Sequence, residues 1–201
     1  KHKLLFFVII ILLLVVISFF GFRYTGLASK YIPPSEIGSI DVYFCPRNNC
    51  ENVYNKLIKE SEDIKCALYE IGPIIELFNE KSKEIDVKIV TDNSNKLNLK
   101  GFDFIKFDNN NQLMHNKFCL LKIKNKNIIF TGSLNPTEKG FNNHNNNLVV
   151  INSNYLYENY EGEFNELWNN IYGKGDKVKY PVINFNDFLI ENYFCPEDLC
   201  E

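Results

Sequence analysis

The chain has 201 residues, 45% hydrophobic and 23% charged, with a formal net charge of −3 at neutral pH. That length suits one domain with additions. The acidic balance excludes a global electrostatic pull on nucleic acid or anionic lipid, so any attraction for phosphate must be local.

Leu4 to Phe22 is an apolar run interrupted only by Ser18 and Gly21. As a helix it would span about 28 Å, enough to cross a hydrocarbon core. Residues 1–22 are therefore predicted to be a single-pass membrane anchor. The alternatives are a cleaved signal at Gly26-Leu27-Ala28-Ser29, which normally has a shorter apolar region, and a buried core helix. Lys1, His2 and Lys3 precede the run, and Arg23 and Lys30 follow it. This balance favours a cytoplasmic N-terminus and an extracytoplasmic domain.

Residues 23–38 read as a linker, with Pro33-Pro34 excluding helix. A domain is predicted over 39–172. Its elements are a strand at Ser39–Phe44, a helix at Glu51–Ser61, a buried strand at Ile64–Ile71 and a helix at Pro73–Lys83. A strand at Ile85–Thr91 and a weak one at Gly101–Phe107 follow. Leu113–Lys124 and Asn127–Thr131 read as a hairpin around Asn125-Lys126. Then come a short turn or helix at Pro136–Phe141 and a strand at Leu148–Asn152. A last helix at Tyr155–Tyr172 carries an apolar stripe of Leu156, Tyr160, Phe164, Leu167, Trp168 and Ile171. Strands alternating with helices and closing in a hairpin predict a layered α/β domain with a mixed sheet.

Residues 173–192 read as a second linker. Beyond it, Tyr193-Phe194-Cys195-Pro196-Glu197-Asp198-Leu199-Cys200-Glu201 matches Tyr43-Phe44-Cys45-Pro46-Arg47-Asn48-Asn49-Cys50-Glu51 at six of nine positions. Residues 193–201 thus read as the opening strand of a second repeat. An extracytoplasmic domain permits disulfides Cys45–Cys50 and Cys195–Cys200. Reduced structural thiols, or a zinc site if the two turns meet, are the alternatives. Cys66 and Cys119, in apolar strands, are expected to be core packing.

The chemistry is concentrated between Met114 and Asn135. His115-x-Lys117 lies on an apparent strand, so both side chains should share a face. Gly132-Ser133-x-Asn135 ends the next strand with small polar donors. A nucleophile or base, a fixed cation and neutral donors together suit a phosphate pocket.

This pattern resembles the phospholipase D superfamily, whose signature is His-x-Lys, then Asp, then Gly-Ser-x-Asn, and is nearest its single-motif phosphodiesterase and nuclease branch. The resemblance extends to Val42–Pro46, Asn147–Val150 and Glu161–Trp168, and Lys122 stands where the family has Asp. It implies an α/β/α fold with a mixed sheet and phosphodiester cleavage with no obligatory metal or cofactor. It also implies that His115 acts as nucleophile or acid/base, Lys117 stabilises charge, and Ser133 and Asn135 donate to phosphate. Asn147 would contribute from the following strand, and Glu163 would orient the histidine ring. Two histidines are needed and one motif is present, so a homodimer or a tandem second domain should complete the site. His144 is the other histidine of the domain, in an Asn-rich loop. Lys122 and Lys124, with Lys126 and Lys139, are candidate phosphate-backbone contacts, or a solvated hairpin tip. The expected substrate is nucleic acid, cut by an endonuclease. The alternatives are a phospholipid, for a cardiolipin-type hydrolase, and none, for an inactive membrane-tethered scaffold.

Overall fold

The structure is a computed structural model that describes residues 9–15, 31–110 and 112–200. Residues 9–15 are helical, with apolar side chains exposed. The remainder of the predicted anchor Leu4–Phe22 lies outside the described residues. Among the described residues no helix is long and apolar enough to cross a membrane. The unit from Pro33 onward is described below.

The strands in chain order are β1 (Ser35–Glu36), β2 (Ser39–Phe44), β3 (Asp63–Leu68), β4 (Asp86–Thr91), β5 (Ile105–Phe107), β6 (Lys117–Ile123), β7 (Lys126–Gly132), β8 (Asn147–Asn152), β9 (Val182–Phe185) and β10 (Phe188–Glu191). Seven form one mixed sheet in the order β2-β8-β7-β6-β3-β4-β5, and β1-β9-β10 form a small second sheet. β3, β4 and β5 run parallel, and the other pairs of the large sheet are antiparallel.

Strand periodicity explains the two cores. Alternate side chains point to opposite faces. Ile64, Cys66 and Leu68 of β3, with Cys119 and Leu121 of β6, meet one apolar cluster. Ala67, Phe118 and Leu120 meet the other. The first face is covered by helix α1 (Cys50–Glu60), which buries Tyr54 and Ile58, and by α2 (Ile75–Lys81), which buries Phe78. Two short helices, α3 (Lys96–Leu99) and α4 (Glu138–Asn142), add Leu99 and Phe141 to that core. The second face is covered by α5 (Asn154–Trp168) through Leu156, Phe164 and Leu167. The expected α/β/α layering with a mixed sheet is therefore what forms.

Capping defines α5. Ser153 accepts from Leu156 N at 3.0 Å, and Glu36 of β1 accepts from Asn154 N at 2.8 Å. A carboxylate there also suits the positive helix end. The helix stops at Trp168, short of the predicted Tyr172, because Asn170 takes a left-handed φ of 61°. Ile171, expected on the buried stripe, is consequently exposed.

Three further expectations change. The stretch read as a linker over 173–192 contains β9 and β10, and Ile183 and Phe185 are buried against the second face. β9 also pairs with β1, so the 23–38 linker contains a strand. Cys66 and Cys119 are not free packing thiols. They face each other across β3 and β6 and form a disulfide, with both residues fully buried.

Cys45–Cys50 and Cys195–Cys200 are also joined. Residues 193–200 form no strand, but the turn they build copies the turn after β2. Asn48 N donates to Phe44 O at 2.8 Å, and Asp198 N to Phe194 O at 3.0 Å. Phe44 N donates to Asn48 Oδ1, and Phe194 N to Asp198 Oδ2, both at 2.7 Å. Asn49 and Leu199 both take left-handed φ, 49° and 54°.

Candidate active site

One end of the large sheet gathers the polar residues of the motif. Strand direction dictates this. β3, β4, β5 and β7 finish there, and β6 and β8 start there. Lys117 opens β6, Gly132 closes β7 and Asn147 opens β8.

His115 lies two residues before β6, outside the strand, and is exposed. His115 is thus not a strand residue as expected, but its side chain and that of Lys117 do share a side, both meeting Tyr69. The His115 ring packs edge-on against Tyr69 with centroids 4.8 Å apart, and Asn116 O accepts from Tyr69 N at 2.8 Å. Lys117 Nζ lies 5.2 Å from the same Tyr69 ring and donates to His115 O at 3.1 Å. Burial pushes the Lys117 ammonium below its ordinary pKa, and the nearby Glu70 carboxylate opposes that shift.

Ser133 and Asn147 hold each other. Ser133 N donates to Asn147 Oδ1 at 3.2 Å, and Asn147 N donates to Ser133 Oγ at 3.0 Å. Asn147 therefore positions Ser133. Asn135 Nδ2 donates to Glu70 Oε2 at 3.4 Å, which also sets Glu70 beside the motif. Tyr69 and Glu70 were not among the sequence candidates. They follow β3, far upstream in sequence, and only the β3–β6 pairing carries them to the site.

Gly132 makes the close approach possible. Its φ is 131°, and a Cβ there would lie 2.5 Å from Asn147 Oδ1 and 2.6 Å from Asn147 O. Gly132→Ala is expected to cost about 2–3 kcal/mol, from backbone strain and displacement of Asn147. A lowered urea midpoint with unchanged slope would show this, and a midpoint equal to wild type would contradict it.

Lys122 and Lys124 do not reach the site. Lys122 is near the far end of β6, roughly 16 Å along the strand from Lys117. Lys124 is in the two-residue turn to β7, with φ 54°. Strand β6 starts at the site and runs away from it, so its later residues are carried to the far end of the sheet. His144 is exposed, in the loop before β8, where its N donates to Lys139 O at 3.0 Å.

A cleft of about 610 Å³ lies beside His115, lined by Met114, His115, Glu163, Tyr172, Pro196 and Glu197 among others. Glu163 faces it from α5, but its carboxyl interacts with Glu197 and Glu166. Burial first, then these carboxylates, pushes its pKa up to about 8. Oxygens of Glu163, Glu166 and Glu197 lie within 4.8 Å of one another. A proton on Glu163, hydrogen-bonded to Glu197, relieves the repulsion without a cation.

The native state therefore keeps this proton up to about pH 8, whereas an unfolded glutamate releases it near 4.5. Between those values the native state binds more protons, so stability falls as pH rises. Glu163→Gln should flatten this dependence and raise Tm at alkaline pH by on the order of 5 °C. Parallel Tm–pH curves for the two proteins would refute the assignment.

Residues 56–168 match the family model described as cardiolipin synthase, PLD-like domain. No curated protein sequence matches the chain. Among solved structures it is similar to Nuc from Salmonella typhimurium, described as a phospholipase D family member. That match has 22% identity and a TM-score of 0.54, covering 66% of this chain and 95% of that one. NucT from Helicobacter pylori matches at 17% identity and TM-score 0.52, covering 66% and 97%. Polyphosphate kinase from Porphyromonas gingivalis matches at 14% identity and TM-score 0.52, covering 69% of this chain and 27% of that one. At these identities the structures speak to the fold.

Proposed function

Since this chain belongs to the phospholipase D superfamily, we propose that it is a phosphodiester hydrolase, an endonuclease acting through a phosphohistidine. The observation that carries the reading is that His115, Lys117, Ser133 and Asn135 all lie at one sheet end, with His115 lining an open cleft. An imidazole nitrogen of His115 attacks phosphorus, and the bond from phosphorus to the leaving oxygen breaks. A second histidine protonates that oxygen. The same group then takes a proton from water, whose oxygen displaces His115. Lys117 holds charge on the equatorial oxygens, and Ser133 and Asn135 donate to them. No metal takes part in these steps.

The second histidine comes from a second motif, in a homodimer or a tandem domain. The copy of the Cys45–Cys50 turn at Cys195–Cys200 supports the tandem arrangement. The apolar segment Leu4–Phe22 supports a single-pass anchor with the domain on the extracytoplasmic side. That tether, and the description of the matching family model, favour a phospholipid as the second substrate class.

The test is hydrolysis of bis(4-nitrophenyl) phosphate by the full chain in chelator, with acid quenching to trap the covalent adduct. Turnover with a trapped phosphohistidine is expected. A rate rising faster than linearly with protein concentration would identify a homodimeric site. Absence of both turnover and adduct, with a second motif supplied in trans, would leave the inactive scaffold.

A further inference from the structure

Next to the motif lies a second polar cavity with different chemistry. β4 and β5 are parallel neighbours with Thr91 opposite Phe107. The next residue on each is an aspartate, and Asp108 N continues the ladder to Thr91 O at 2.9 Å. Asp92 and Asp108 therefore leave adjacent strands side by side, about one strand spacing of ~4.8 Å apart. Both are buried, 6% and 3% exposed. Isolated carboxylates are seldom so buried without a counter-charge.

Hydrogen bonds and the nearby His115 favour the Asp92 carboxylate, but they leave Asp108 without compensation. Asp92 Oδ1 accepts from Ser94 N at 2.9 Å and Ser94 Oγ at 2.5 Å, and Asp92 Oδ2 accepts from Met114 N at 3.1 Å. Asp108 Oδ1 accepts from Asn93 N at 2.9 Å. Among the described residues nothing donates to Asp108 Oδ2, although that oxygen is buried. Asp92 acts on Asp108 by repulsion. The cavity of about 440 Å³ in front of them is lined by Asp92, Asn93, Asp108, Asn110, Gln112 and Leu113, with no lysine or arginine among them.

We propose that Asp92 and Asp108 form a binding site for one hard divalent cation of the calcium type, which braces the segment carrying His115. The orphan Oδ2 of Asp108 and the remaining lone pair on Asp92 Oδ2 supply two anionic oxygens. Asn93, Asn110 and Gln112 line the same cavity and carry amide oxygens, that of Asn110 already accepting from Gln112 N at 2.5 Å. Calcium takes about six to eight such ligands, water included, in flexible geometry. The link to His115 is direct, because the Asp92 oxygen that holds Met114 N is adjacent to the proposed ion. No step of hydrolysis runs through the cation.

The test uses the full chain in detergent, stripped with chelator and titrated with CaCl2 and, separately, TbCl3. At a hundredfold excess over Kd, calcium should raise Tm by about 5–10 °C. Terbium should show tyrosine-sensitised luminescence that calcium displaces. Asp108→Asn keeps an acceptor for Asn93 N, so it should fold and lose both responses. Glu166→Gln, at the other acidic cluster, should retain both. No calcium response in wild type would overturn the proposal. So would an undiminished response in Asp108→Asn, or one lost in Glu166→Gln. Neither readout uses hydrolysis, so a chain that fails to cleave phosphodiesters still answers the question.

Discussion

His115→Asn is expected to lower kcat/KM for phosphodiester hydrolysis by at least about 10⁴-fold while leaving Tm within about 2 °C of wild type. The two magnitudes separate because of where the residue sits. His115 is exposed and outside any strand, and its ring contact is the edge-on packing against Tyr69. Losing one half-exposed aromatic contact costs about 0.5–1 kcal/mol. A nucleophile that forms the covalent bond has no substitute in asparagine, whose amide does not attack phosphorus. Lys117→Ala makes a useful comparison. It removes transition-state stabilisation without removing the nucleophile, so a loss of roughly 10²–10³-fold is expected. Steady-state rates and melting curves on the same preparations check both. Activity of His115→Asn within tenfold of wild type would end the covalent-histidine reading.

The other large effect concerns stability. Replacing Cys66 and Cys119 together by alanine should cost about 4 kcal/mol, from the chain entropy released when a long loop is opened. The bridge closes 53 residues of sequence separation, against 5 for each of the other two. Entropy scaling assigns those short bridges only about 2 kcal/mol each. The buried position adds to the loss, because alanine leaves a void where two sulfurs sat and leaves Tyr54 Oη without its 3.2 Å contact to Cys119 Sγ. Chemical denaturation of Cys66→Ala/Cys119→Ala against Cys195→Ala/Cys200→Ala should therefore give the larger midpoint shift for the first pair. Equal shifts would show that the β3–β6 bridge does not dominate. The same substitution should disturb the site, since the β3–β6 pair carries Tyr69, Glu70 and Lys117 on its active end.

Much of this was legible from residues close together in the chain. His115-x-Lys117 and Gly132-Ser133-x-Asn135 lie near each other in sequence, with a simple hairpin between them. Short apolar runs bounded by polar turns identified β3, β4, β6, β7 and β8, and the apolar stripe identified α5. These are local properties of backbone geometry, and a single segment expresses them.

Other features depend on which strands become neighbours. Cys66 and Cys119 each look like an apolar strand residue, and only the β3–β6 register joins them. Asp92 and Asp108 are well separated in the chain, and only the parallel β4–β5 register sets them abreast. Tyr69 and Glu70 enter the site through the same non-local pairing. Lys122 shares the motif's strand and Lys124 the turn beyond it, and strand direction takes both away from the site. Ile183 and Phe185 alternate in a segment too short and polar to announce a strand, and burial against α5 and the sheet gives them their role.

The sequence by itself determined the motif, the family it resembles and the layered pattern of strands and helices, because each rests on contacts within a short stretch of chain. Tertiary structure alone decided the buried disulfide, the aromatic and acidic partners of His115 and Lys117, and the paired aspartates behind them. Those follow from strand order and register, which are set by burying both faces of one sheet at once.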